Sequence, residues 1–186
     1  MYRPILMLML GFTLSALSAY GLVHLLGSGL SGVMNETGAK LAAATVMLAC
    51  VVIDSGLFEL RTPMWQRQTP QQHFYRFGPT RGALLWGLDT GLVLTTFRVT
   101  SLTWAALGVT LFGLVPWWAG LAYALGFTLP SFAMVALVPQ SKDLHETPEP
   151  IWLMDWLMER GKPVRRAALG LLTIAFAGVV ASVFLS

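Results

Sequence analysis

The chain has 186 residues, of which 55% are hydrophobic and only 11% charged, with a mean hydropathy of +0.66. Soluble globular domains carry about a quarter charged residues, so this composition excludes a protein whose main solvent is water. The formal charge of +3 does not point to nucleic acid, because the twelve Lys and Arg residues sit between apolar runs and form no basic face; their expected partners are lipid phosphates.

Residues 4–27 form the first apolar run, preceded by Tyr2 and Arg3. The run is longer than a signal-peptide core and has no small-x-small cleavage site before a polar domain, so it reads as a retained span. A Gly/Ser-rich turn follows, in which Asn35-Glu36-Thr37 matches a glycosylation acceptor by chance. The second span covers about 40–60. It carries Cys50, the only cysteine, so neither a disulfide within the chain nor a thiolate metal site is expected. Residues 61–80 read as a polar loop, with Arg61, Arg67, Arg76, three prolines and aromatic residues suited to headgroup level.

From Gly82 to Val138 the chain is almost continuously apolar, and two counts compete. Five spans with a cytoplasmic N-terminus place Arg3, Arg61, Arg67, Arg76, Arg81, Lys142, Arg160, Lys162, Arg165 and Arg166 inside and only Lys40 clearly outside. Six spans move the last five of those cations outside, against the positive-inside bias. The preferred reading is therefore an all-α polytopic transmembrane helix bundle of five spans, at about 4–27, 40–60, 82–98, 117–138 and 167–185. Residues 99–115 are expected to be an extra half-span, re-entrant or interfacial, on the outer side, because Arg98 lies about 25 Å along a helix from Arg81. Residues 151–160 form a cytoplasmic amphipathic helix in which Asp155 and Glu159 share a face, while Trp152, Met154, Trp156 and Met158 offer an interface to lipid or a partner.

Two similar tetrapeptides, Asp54-Ser55-Gly56-Leu57 and Asp89-Thr90-Gly91-Leu92, place a carboxylate at a matched depth, about 10 Å from the cytoplasmic ends of spans two and three. A carboxylate in hydrocarbon turns inward, takes a partner or becomes protonated. Asp54, Asp89, Ser55 and Thr90 are therefore candidates for ion or solute binding, facing each other across the bundle. The alternative is that the hydroxyls and backbone satisfy both acids in a helix contact, with Gly56 and Gly91 allowing close approach. Arg98, among threonines, is a third candidate, as an anion receptor or an interfacial anchor. Glu59 reads as an ion pair or snorkelling group, and His24 as a hydrogen-bonded residue.

No nucleophile and base, no metal-ligand spacing and no phosphate loop stand out, so no catalytic residue, metal or cofactor is expected. The expected location is a bacterial cytoplasmic membrane. Partners are the lipid bilayer and either further copies of the chain or other membrane subunits. Function divides between a permease-like protein for an ion or small solute and an accessory or assembly subunit of a membrane complex.

Overall fold

A computed structural model of the chain describes residues 3–58, 60, 62, 72–92, 100–137 and 151–185. These residues form six helices and no strand: α1 (Arg3–Ser31), α2 (Glu36–Ser55), α3 (Gln72–Gly91), α4 (Leu102–Leu111), α5 (Ala119–Leu137) and α6 (Ile151–Phe184). Three stretches, Arg3–Leu30, Glu36–Ser55 and Lys162–Phe184, are long and apolar enough to cross a membrane; Leu102–Leu111 and Ala119–Ala133 are shorter apolar helices.

Many large apolar side chains point outward, while several small ones lie in the core beside Phe12, Tyr20 and Leu172. Leu6, Leu10 and Leu14 form an exposed stripe along α1, and Leu171 and Ile174 are exposed on α6, whereas Ala16, Ala43 and Ala124 are buried. In water this arrangement would be costly; in lipid it leaves close backbone contact as the main source of packing energy. The helix contacts follow that rule. Gly87 of α3 lies against the Leu8 carbonyl of α1, and a Cβ at Gly91 would come within 2.6 Å of the Phe12 oxygen. Gly11 returns the contact at Leu84 and Leu88, so α1 and α3 touch backbone to backbone.

Order along α1 is set by these contacts. As α3 advances from Gly87 to Gly91 it meets first Leu8 and Phe12, then Phe12 and Ser15, and therefore runs parallel to the first half of α1. α5 runs the opposite way: Gly120 packs on Ala16 and Tyr20, and Phe127 stacks on Phe12 with ring centroids 4.1 Å apart. The second half of α1 receives α4, whose Leu111 carbonyl lies against Gly27. α3 and α4 thus succeed one another along α1 in the same direction.

α2 and α6 make a second, antiparallel pair. Lys40 Nζ donates to the Ser182 carbonyl at 3.3 Å at one end, and Arg165 Nε donates to the Asp54 carbonyl at 3.1 Å at the other. α4 joins the two groups, packing on α1, α2 and α6. Its Gly108 sits where a Cβ would come within 2.7 Å of Val46 Cγ1.

Several sequence boundaries shift. α2 stops at Ser55, five residues short of the expected 60, because Gly56 takes the left-handed conformation (φ 75°) and its N–H bonds the Ile53 carbonyl. Residues 72–80, assigned above to a loop, are helical; Gly78 (φ 74°) interrupts the helix and Pro79 restarts it, where its missing N–H costs little. α3 ends at Gly91 instead of near 98, and Arg98 lies outside the described residues, as do Glu59 and Arg61. Within 99–115, expected as a half-helix, the described residues hold α4, which starts beside Asp54 and runs toward Gly27. Finally, 151–160 is helical but continuous with the last apolar segment, since Pro163 removes one donor without ending α6. The side chains of Trp152, Met154, Trp156 and Met158 lie outside the described atoms.

Candidate functional site

The most organised polar group lies where α3 gives way to α4. Asp54, in the last turn of α2, is only 3% exposed. Both of its carboxylate oxygens accept the backbone N–H of Ser101, at 2.9 and 2.8 Å. Ser101 is the N-cap of α4, and its side chain makes no cap bond to the helix. A helix start has donors without intrahelical partners and a positive dipole end. Asp54 therefore supplies from another helix what the glutamate of a capping box supplies locally, a carboxylate on the N-cap N–H. The Ser101 hydroxyl is left free to donate to Thr62 Oγ1 at 3.3 Å.

The same residue faces the opposite problem at its own helix end, where carbonyls lack partners and the dipole is negative. Ser55 Oγ donates to the Val52 carbonyl at 2.7 Å, the Gly56 N–H takes that of Ile53, and Arg165 takes that of Asp54. A cation at this place offsets both the dipole and the aspartate. Beside it is a cleft of about 200 Å³ lined by Asp54, Ser55, Lys162, Arg165, Arg166 and Leu169.

Asp89 lies in the last turn of α3 and is half-buried; it does not line the cleft at Asp54. Asp89 sits at the end of α3, whereas the Asp54 carboxylate meets Ser101 at the start of α4, and among the described residues α2 and α3 make no substantial contact. Ser55 and Thr90, expected beside the acids, turn their hydroxyls onto their own helices: Thr90 Oγ1 donates to the Trp86 carbonyl at 2.8 Å. A second cleft, of about 300 Å³, lies among α1, α4 and α5 and is lined mainly by apolar groups with Tyr20, Thr103 and Tyr123. Among the described residues, no three His, Cys, Asp or Glu side chains converge as metal ligands.

Sequence reasoning found Asp54 but not its partners. Ser101 had a signal, a hydroxyl residue directly before an apolar run, which is an N-cap pattern. Arg165 had none beyond its charge, because its pairing with residue 54 depends on how α2 and α6 align. No known protein family, characterised protein or solved structure matches this chain.

Proposed function

We propose that this chain is a small permease-like membrane protein that handles an ion or small solute at the interval between α3 and α4. The observation that carries the reading is that α3 and α4 follow one another along α1, with the Asp54 carboxylate on the N-terminus of α4. Transporters build midplane sites at such interruptions, where helix ends and intramembrane carboxylates face a path. Asp89 stands in the last turn of α3, and the reading assigns both acids to the solute path.

In this reading the protein crosses five times, by α1, α2, α3 with α4, α5 and α6. The ends bearing Arg3, Arg76 and Lys162 to Arg166 share the cytoplasmic side, and Lys40 lies opposite.

Reconstitution tests it. In liposomes loaded with a pH-sensitive dye and given imposed sodium or potassium gradients, the wild-type chain is expected to accelerate proton movement over protein-free liposomes. Asp54→Asn or Asp89→Asn should slow it. Wild-type rates equal to protein-free liposomes, or both variants unchanged in rate and in pH dependence, reject the reading.

A second reading, an accessory or assembly subunit, is favoured by α6. Only 11% of the apolar window in Lys162–Phe184 is buried within the chain, which leaves a long helix face for lipid or another membrane chain. Purification in a mild detergent separates the two: a stoichiometric second protein supports the subunit, and a self-contained species or homo-oligomer supports the permease.

A further inference from the structure

We propose that the cleft between the C-terminal end of α2 and residues 162–169 of α6 binds the phosphate group of an acidic ligand. The position favours the headgroup of an anionic phospholipid. This inference concerns binding at α6 and stands whether or not the chain transports a solute.

The argument begins with a charge count at the cleft. Its lining holds three cations, Lys162, Arg165 and Arg166, against one carboxylate, Asp54. That carboxylate is already committed, since both oxygens accept the Ser101 N–H. Arg165 is bound through Nε to a carbonyl, not to a carboxylate, and so keeps its full charge and its outer guanidinium nitrogens. Gly56 leaves room for them: a Cβ there would stand 3.5 Å from Arg165 Nη2. Among the described residues the recorded ion pair is Lys40 with Glu36, at the far end of α2 and away from the cleft.

Position supplies the second part. All three cations are exposed and fall within two turns of the start of the apolar stretch Lys162–Phe184, where Leu169 and the exposed Leu171 continue toward the hydrocarbon. A phosphate in the cleft would face the cations while acyl chains lie along the exposed side of α6. Basic pockets between helices at a membrane surface hold lipid headgroups in this way. Arginine favours an oxyanion through its planar fork of donors, and lysine adds a mobile point charge.

The test uses the full chain in a mild non-ionic detergent, with short-chain phosphatidylglycerol, short-chain phosphatidylcholine and inorganic phosphate as separate titrants. Wild type is expected to bind phosphatidylglycerol about tenfold or more tightly than phosphatidylcholine, and the double variant Lys162→Gln/Arg166→Gln should lose about that factor. This variant leaves Arg165 on its carbonyl, and Lys162→Arg/Arg166→Lys, which keeps the charge, should retain binding. Inorganic phosphate binding with the same dependence on Lys162 and Arg166, in place of phosphatidylglycerol, would keep the phosphate site and assign it to a soluble ligand. Equal affinity for the two lipids with no phosphate binding, or affinities that do not change in the Gln/Gln variant, overturns the proposal. Proton flux plays no part in this measurement, so its result is independent of the transport test on Asp54 and Asp89.

Discussion

Asp54 and Ser101 are 47 residues apart and share one bond that is central to the fold: a single backbone N–H held between two carboxylate oxygens. The bond connects the end of α2 to the beginning of α4. It also places a negative group at the positive end of α4, while Arg165 compensates the negative end of α2.

Because the donor is backbone, substitutions at the two positions should be unequal. Asp54→Ala strands a buried N–H and is expected to cost about 2–3 kcal/mol, whereas Asp54→Asn keeps an acceptor and should cost about 1 kcal/mol. Ser101→Ala retains the N–H and loses only the 3.3 Å hydroxyl contact with Thr62, for less than about 1 kcal/mol. Thermal unfolding in detergent should rank them in that order. A Ser101→Ala variant as unstable as Asp54→Ala would show that the carboxylate bond is not what anchors α4.

Glycine positions divide sharply by what surrounds them. At Gly87 an added Cβ meets the Leu8 carbonyl and lies 2.9 Å from the Phe12 nitrogen, so Gly87→Ala must push α1 and α3 apart. The expected loss is about 1–3 kcal/mol, the usual range for overpacking. Gly170, on α6, has nothing within 4 Å, and alanine there should be neutral or mildly stabilising through helix propensity. Yield of monodisperse protein and its melting temperature would distinguish them, and similar behaviour of both variants would contradict the α1 and α3 contact.

Much of this organisation is legible from residues in order along the chain. The apolar runs around α1, α2 and α6 announce themselves by length and composition, and Gly91 is readable as a place of close approach. Asp54 stands out because a carboxylate in an apolar run needs a reason. Three features are hidden for physical reasons. Left-handed glycines end or interrupt helices at Gly56 and Gly78, but many glycines in spans do neither, so composition alone misplaces the ends of α2 and α3. The direction of α4 depends on a backbone donor, which no side-chain pattern encodes. Arg165 looks like one more topogenic charge until α6 is laid antiparallel to α2.

That antiparallel pair is fastened at both ends by a cation on a carbonyl, Lys40 on Ser182 and Arg165 on Asp54. Lys40→Met and Arg165→Met should each cost about 1.5–3 kcal/mol, the net worth of a hydrogen bond made by a charged group. Lys40 and Asp54 are about 21 Å apart along α2 at 1.5 Å per residue, too far to share partners. The double variant should therefore show the sum of the single effects to within about 0.5 kcal/mol. A coupling well above that, read from denaturant or thermal midpoints, would mean that α6 docks as one all-or-none unit.

The same two bonds fix which ends of the chain lie together, and this gives a test of the crossing pattern. Glu36 begins α2, and Lys162 lies about one turn beyond the level of Asp54 on α6. Adding the 18 residues from Glu36 to Asp54 and the three from Arg165 to Lys162 separates the two by about 31 Å along the helix axes. That is close to the roughly 30 Å of a bilayer's hydrocarbon core. In a Cys50→Ala background, Glu36→Cys and Lys162→Cys should react with a membrane-impermeant maleimide from opposite faces, with Lys162→Cys labelled only after the cytoplasmic side is opened. Labelling of both from one face would refute five crossings and, with them, the placement of Lys162, Arg165 and Arg166 against the inner leaflet.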